Sequence, residues 1–424
     1  MGLEDAAAIG FPAEGTASDL LLAEIDAMRA GDIDWRGGKA FSLVYNPADA
    51  ELERVLHEVA GRFLHENALN PFAYASLPRM EQEVIAMAAD LLGSPADAGS
   101  LTSGGTESIF LAVQVARDHA RAVLGIDRPQ IITATTAHPA FAKACKYLDV
   151  EQVKVDLGDD LRIGAEQVRP ALGPRVALVV VSAPCYPYGV IDHVEAVAGL
   201  AAEQEILCHV DACLGGWMLP FWERLGEAVA PWDFRVDGVT SISADIHKYG
   251  YAFKGASVLL HRSRDLLSHQ FFLYDEWPGG LYGSSTTAGT RPGPPIAGAW
   301  TAIRALGEDG YLRLATKVRD ATRLVQQGIA AIDGLHVTGD PDMSVYEIST
   351  TPDGEDGDDA ISAIGDVMED KGWRLDRQNG GLHLMFSPYH LEVAAQLVVD
   401  LGEATATHGE SRGAAAVYGG VAQA

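Results

Sequence analysis

Cysteine is scarce in this chain: four in 424 residues, Cys145, Cys185, Cys208 and Cys213. None stands in a CxxC pair or at a His/Cys spacing that suits zinc, so neither a disulfide framework nor a structural metal centre accounts for the fold. Positive charge is also short, with 31 Lys and Arg against 59 Asp and Glu and a net charge of −28. Such a surface opposes nucleic acid and the anionic face of a membrane as broad partners, while leaving room for a local basic pocket. No window reaches the ~20 uninterrupted apolar residues of a membrane helix. The opening MGLEDAAAIGFPAEGTASDL lacks a basic segment ahead of an apolar one. Internal repeats and long low-complexity stretches are absent too. The expectation is a soluble, reduced, cytoplasmic protein without stable membrane insertion.

What is present suffices for a large core: 48% of the residues are hydrophobic and 21% charged, a balance and length that suit two domains. Residues 1–60 are acidic and helical in tendency, with LLAEIDAMRAG ending at a glycine able to cap a helix. They read as an arm. From 61 to 305, apolar runs alternate with helical patterns. QIITATTA, RVALVVVSAP, EILCHVDA, DGVTSISAD and GASVLLHR read as strands, and MEQEVIAMAADLL puts Met80, Val84, Ile85, Ala88, Leu91 and Leu92 on one helical face. Continuously apolar strands imply burial on both faces, and alternation with helices implies a mostly parallel α/β sheet covered on both sides. Residues 306–424 begin with a long helical pattern and continue with MSVYEIST, DDAISAIGDVMED and LHLMFSP, which suits a smaller C-terminal α+β domain. The acidic run TPDGEDGDD reads as a solvated loop.

In parallel sheets, ligands bind beyond the carboxyl ends of the strands. Polar residues follow the apolar runs here: His138 after QIITATTA, Asp211 at the end of EILCHVD, and Asp245, His247 and Lys248 after GVTSISA. Lys248 and Lys254 both fall in SISADIHKYGYAFKGASVLL, where burial would favour a neutral amine able to react as a nucleophile. The run LTSGGTES at 101–108 opens a helical pattern with small and hydroxyl residues, a suitable anion cradle. Singly, each has an ordinary reading as a turn, a cap or a surface side chain. Jointly they supply a phosphate cradle, a carboxylate for a ring nitrogen, an imidazole to stack on that ring and an amine, the parts that bind pyridoxal 5′-phosphate (PLP).

The motifs TSGGTES, AHPAFAKA, HVDACLGG, FRVDGVTSISADIHKYGYAFKG, GGLYGSSTTAGTRPG and AVYGGVAQ, in colinear order from about Tyr45 to the C-terminus, resemble the sphingosine-1-phosphate lyase family. That family lies in the group II decarboxylase branch of fold-type I PLP enzymes. The resemblance implies that Lys248 holds PLP covalently, that Asp211 pairs with the ring nitrogen and that His138 stacks on the ring. It further implies that Gly104, Gly105 and Thr106 hold the phosphate, helped by His247 and Ser243, with Asp245 and Cys213 adjoining the cofactor. It implies a homodimer with active sites at the interface, in which Ser284 and Ser285 complete the partner's phosphate site.

The implied reaction is retro-aldol cleavage of a 2-amino-3-hydroxy compound, such as a phosphorylated sphingoid base, to an aldehyde and an amine. Tyr45, Asn70 and Lys254 then match substrate-binding positions, and Tyr186 a tyrosine near the reacting carbons. Lys248, Tyr186, His247 and the substrate's own phosphate are the alternatives for the general base. One departure concerns NPFAY, where the family usually reads NPLHP, so that Ala73 replaces a phosphate-contacting histidine. Tyr74 and Lys254 are the candidates to compensate. The alternatives are an amino-acid decarboxylase, with Arg291 in AGTRPG for the substrate carboxylate, a lyase for non-phosphorylated amino alcohols, and a cofactor-free interaction protein. The presence of Lys248 and Asp211 weighs against the last.

Overall fold

A computed structural model describes residues 10–42, 45–69, 72–351, 359–378, 380–413 and 416. Asn70, most of the acidic loop and all but the first residue of the tail motif AVYGGVAQ lie outside the described residues.

Seven strands form the main sheet: β1 (Gly99–Thr102), β2 (Gln130–Ala134), β3 (Glu151–Val155), β4 (Val176–Ser182), β5 (Leu207–Asp211), β6 (Ser241–Ala244) and β7 (Ser257–His261). Their order is β1-β7-β6-β5-β4-β2-β3. Neighbours from β6 to β3 run parallel, whereas β7 is antiparallel to both β6 and β1. Every residue of β4, VALVVVS, is buried, as expected of a central strand covered on both faces. Sequence reading did not find β1 and β3. The first has four residues, and the second is an edge strand, EQVKV, with only its last residue buried. At Gly99 an added Cβ would lie 2.6 Å from the Leu259 carbonyl oxygen, so glycine there permits the close pairing of β1 with β7.

Helix Ser76–Leu91 buries Leu77, Val84, Ile85, Ala88 and Ala89, the stripe expected from its spacing. Helix Gly293–Ala330 is broken at Gly307, with φ 58° and ψ −176°, beside the expected 305/306 domain division. Beyond it a four-stranded antiparallel sheet follows, of β10 (His336–Val337), β11 (Val345–Ser349), β12 (Asp376–Arg377) and β13 (Leu382–Met385), ordered β10-β11-β13-β12. Between β7 and the long helix, β8 (Phe272–Tyr274) and β9 (Tyr282–Ser284) make a hairpin.

Among the described residues of 1–60, the two ends differ in burial. Helix Ser18–Arg29 buries nothing and ends with Ala30 in right-handed conformation, so the glycine cap expected at residue 31 is not used. Residues 40–42 instead run beside the small sheet: Phe41 N–H donates to Arg374 O and Phe41 O accepts from Met385 N–H. Phe41, Leu52 and Leu56 belong to the main core.

Candidate active site

β6 ends at Ala244, and the next four residues turn sharply: Lys248 N–H donates to Asp245 O, and His247 N–H donates to Ala256 O, tying the turn to the entry of β7. The turn aims Lys248 Nζ back at Asp245 Oδ2, 3.0 Å away, with His247 Nε2 3.6 Å from the same oxygen. Asp245 is 2% exposed, and its Oδ1 has no partner among the described residues. Burial pushes this carboxyl up, but Lys248 and His247 outweigh it and hold it below its ordinary value. Burial works against the Lys248 ammonium as well, yet Asp245 overcomes it and lifts the amine well above its usual range. The expectation is a neutral buried amine; a buried carboxylate 3.0 Å away instead favours the ammonium form of Lys248.

Helix Gly105–Val123 starts at the rim of the same turn, with Gly104 at φ 151° and ψ 170°. A Cβ on Gly105 would stand 2.7 Å from Cys213 Sγ and 2.9 Å from Asp245 Oδ2. Glu107, absent from the sequence-based site, braces this start: its carboxylate accepts from Ser103 N–H at 2.6 Å and from Thr287 N–H at 2.8 Å. Thr102, Ser108 and Ser257 add a buried hydroxyl chain with links of 2.7 and 2.9 Å.

Asp211 closes β5, and its Oδ1 accepts from Cys213 N–H at 3.1 Å and from Ser243 Oγ at 3.4 Å. His138 Nδ1 accepts from Ala140 N–H, and His247 Nδ1 accepts from Ala256 N–H. Both rings therefore carry their proton on Nε2 when neutral, and burial depresses the pKa of each.

These residues meet in a cleft of about 410 Å³ lined by the 103–107 segment, His138, Cys213, Asp245, His247 and Lys248. A small recess behind it is bounded by Asp211, His138, Lys248, Cys185 and Tyr186. In front, Tyr45, His247 and Lys254 also line a second cleft of about 500 Å³, whose walls include Trp35, Leu52, Leu56, Tyr251 and Tyr389. Lys254 Nζ lies 4.8 Å over the Tyr45 ring and 3.4 Å from His247 O. Burial of the amine, with Lys248 nearby, lowers its pKa to about 8.

Some expected residues lie elsewhere. Ser243 is fully buried among His209, Cys213 and Asp211, so it supports Asp211 from inside the sheet and does not line the cleft. Ser284 and Ser285 are outside this chain's cleft, the first bonded to Thr286 O and the second accepting from Gln270 through its carbonyl. Ala73 is exposed, and neither it nor Tyr74 lines the cleft. Arg291 makes a bidentate pair with Glu81, 2.5 and 2.8 Å, and donates to Leu101 O. As a receptor for a substrate carboxylate it is thereby withdrawn: the guanidinium fork is spent on holding β1 to helix Ser76–Leu91. All four cysteines are free and buried, and no acid, His or Cys group suited to a metal occurs among the described residues. No described helix is long and apolar enough to cross a membrane.

The pyridoxal-dependent decarboxylase conserved domain matches residues 44–345. Sphingosine-1-phosphate lyase of Arabidopsis thaliana is 37% identical over 408 residues, covering 94% of this chain and 73% of that protein. Among solved structures, a sphingosine-1-phosphate lyase from Burkholderia pseudomallei is 37% identical with a TM-score of 0.88, covering 96% of this chain and 95% of that one. Glutamate decarboxylase of Lactobacillus brevis shares the fold at 19% identity, TM-score 0.79, over 94% and 96% of the two chains.

Proposed function

This chain belongs to the sphingosine-1-phosphate lyase family of pyridoxal-dependent enzymes, and we propose that it cleaves the Cα–Cβ bond of a phosphorylated 2-amino-3-hydroxy compound to an aldehyde and a phosphorylated amine. The observation that carries this reading is the meeting, in one cleft, of Lys248, the 104–106 helix start and His138, with Asp211 in the recess directly behind.

The residues fit PLP. Gly105 lets the helix start close against Cys213 and Asp245, where a Cβ would collide with both, and Asp245 keeps a buried oxygen without a partner among the described residues. Lys248 would hold the cofactor covalently, Gly104, Gly105 and Thr106 its phosphate, His138 and Cys213 its ring faces, and Asp211 its ring nitrogen. When bound, PLP supplies an electron sink for the electrons of the breaking bond.

Lys248 is the proton donor suited to Cα once its amine is released, since Asp245 beside it keeps that amine charged. His247 suits a donor role, because its Nδ1 is taken by Ala256 N–H, which leaves the proton on Nε2. That leaves Tyr186 and the substrate's own phosphate as acceptors for the C3 hydroxyl proton. Tyr45 and Lys254 would seat the substrate phosphate where the two clefts join. The walls of the outer cleft are largely aromatic and aliphatic, which suits the hydrocarbon part of a long-chain substrate.

A homodimer belongs to this reading. Phe272, Leu273, Trp277 and Leu281 on the β8–β9 hairpin are 58%, 66%, 56% and 74% exposed, an apolar patch of the kind that marks an interface. Ser284 and Ser285 at the hairpin's end would then reach the partner's cofactor phosphate.

The test is a substrate panel of sphingosine 1-phosphate, shorter phosphorylated amino alcohols and their unphosphorylated counterparts, with the aldehyde trapped. Aldehyde from the phosphorylated members is expected; carbon dioxide from amino acids without any aldehyde would overturn the reading.

A further inference from the structure

Asp376, on β12 of the small sheet, lies 128 positions beyond Lys248, yet it bonds to Tyr186, a residue that bounds the recess behind the cleft. Its two oxygens are both engaged by site segments: Oδ2 accepts from Tyr186 Oη at 3.0 Å, and Oδ1 accepts from Ser42 Oγ at 2.7 Å. Its register partner across the sheet is His383 on β13. That imidazole is fully buried and stacks on the Tyr186 ring, centroids 4.0 Å apart at 26°, while Nε2 bonds to the Tyr186 carbonyl at 2.8 Å. A cross-strand pair of the small domain thus grips Tyr186 by its hydroxyl, its face and its backbone. Burial holds His383 neutral with a pKa of about 4, so the ring is a donor to that carbonyl and does not compete for the tyrosine proton. Arg377, the next residue on β12, is turned away to Asp366 and the Ser362 carbonyl. No guanidinium neutralises Asp376 from its own strand.

Resting on the lyase reading above, we propose that Asp376 is a positioning residue acting through Tyr186, and the final acceptor of the substrate's hydroxyl proton. The hydrogen bond fixes the phenol proton on the Asp376 side, which turns an oxygen lone pair of Tyr186 toward the recess that Lys248, His138 and Asp211 also face. A phenol donating to a carboxylate is a better acceptor through that lone pair. In the step, the C3 hydroxyl proton passes to Tyr186 Oη as the phenol proton passes to Asp376 Oδ2. The hydroxyl oxygen becomes the aldehyde oxygen, and the Cα–Cβ electron pair leaves with the amine-bearing carbon. The charge of the carboxylate is consumed and no free phenolate forms.

Two measurements on the full-length enzyme test this. The ionisation of Tyr186, read from near-ultraviolet absorbance as the difference between a protein and its Tyr186→Phe counterpart, needs no turnover. Asp376→Asn should lower it by about one pH unit, because a neutral amide no longer opposes the phenolate, and Asp376→Glu should restore much of the shift. Turnover of whichever phosphorylated substrate releases aldehyde should fall roughly ten- to a hundredfold in kcat in Asp376→Asn, the scale of one charge-assisted hydrogen bond, with KM nearly unchanged. Adding Asp376→Asn to Tyr186→Phe should then cost nothing more. An unmoved Tyr186 ionisation, or losses that multiply in the double variant, overturns the proposal. Absence of aldehyde from the unaltered enzyme would count against the lyase reading alone, since the ionisation arm still judges Asp376.

Discussion

Lys248 Nζ and Asp245 Oδ2 form a 3.0 Å ion pair at the end of the central sheet, with the carboxylate 2% exposed and its second oxygen without a described partner. The pair explains how a charged amine persists in a core segment. It also makes the two residues interdependent. Lys248→Met strands a buried carboxylate and should destabilise the cofactor-free protein by about 3–5 kcal/mol. Asp245→Asn should cost less, because the lysine amine is partly exposed and can lose its proton. The double variant should fall well short of the sum. Urea unfolding of the four proteins checks this, and additive losses would refute the coupling.

The pair has a defined pH window. Asp245 has its folded pKa below the ordinary 3.8, so its contribution is complete above that value and is lost as pH falls through the lower, folded one. Lys248 has its folded pKa raised, so its contribution is complete below the ordinary amine value and is lost only in strong alkali. The cofactor-free protein should therefore lose this stabilisation below about pH 4, and Lys248→Met/Asp245→Asn should show a shallower acid limb in thermal unfolding. An unchanged limb would mean that other carboxylates govern it.

At the helix start the expected effect is on cofactor affinity. An added methyl on Gly105 would press on Cys213 Sγ and Asp245 Oδ2, neither of which can retreat from its bonded place at a strand end. Gly105→Ala should weaken PLP binding at least roughly tenfold, about 1.4 kcal/mol, in an absorbance titration. Native-like affinity would show that the cradle has slack.

How much of this was legible beforehand varies with distance along the chain. The central strands declared themselves because β4 is apolar on both faces and β5 and β6 stand in short, mostly uncharged runs, and the residues at or just past their ends, Asp211 and Lys248, could be picked from strand ends alone. The edge strand β3 could not, since exposure lets it read EQVKV. The antiparallel course of β7 was also hidden, because burial writes the same apolar run in either direction. Glu107, Asp376 and His383 lacked any local signal: a carboxylate that braces a turn or a tyrosine is known only once the fold brings distant segments together. Arg291 was ambiguous for the same reason, as its partner Glu81 lies 210 positions away.

That pairing of Arg291 with Glu81 carries its own expectation. Both side chains are largely buried, and the guanidinium also holds the Leu101 carbonyl ahead of the cradle. Arg291→Lys loses the bidentate geometry and should lower stability by about 1–3 kcal/mol, while leaving relative activity across amino acids and amino alcohols unaltered. A selective loss on amino acids would return Arg291 to the substrate site.

Lys254 gives the sharpest separation of substrate classes. Its amine, over Tyr45 at the junction of the two clefts, has a pKa of about 8 because burial and the neighbouring Lys248 disfavour its charge. The charged form, which attracts a phosphate, is therefore dominant below about pH 8 and lost above it. KM for a phosphorylated substrate should rise through that range while KM for its unphosphorylated counterpart stays flat. A bound dianion will itself favour the ammonium, so the rise should begin later when substrate is saturating, and kcat should respond less than kcat/KM. Lys254→Ala should abolish the pH dependence and raise the phosphorylated substrate's KM roughly tenfold or more, as expected for one charged hydrogen-bond partner. Lys254→Arg should keep the affinity but flatten the profile, since a guanidinium does not titrate there. Equal losses on both substrate classes would assign Lys254 to the shape of the cleft and leave the phosphate to be held elsewhere.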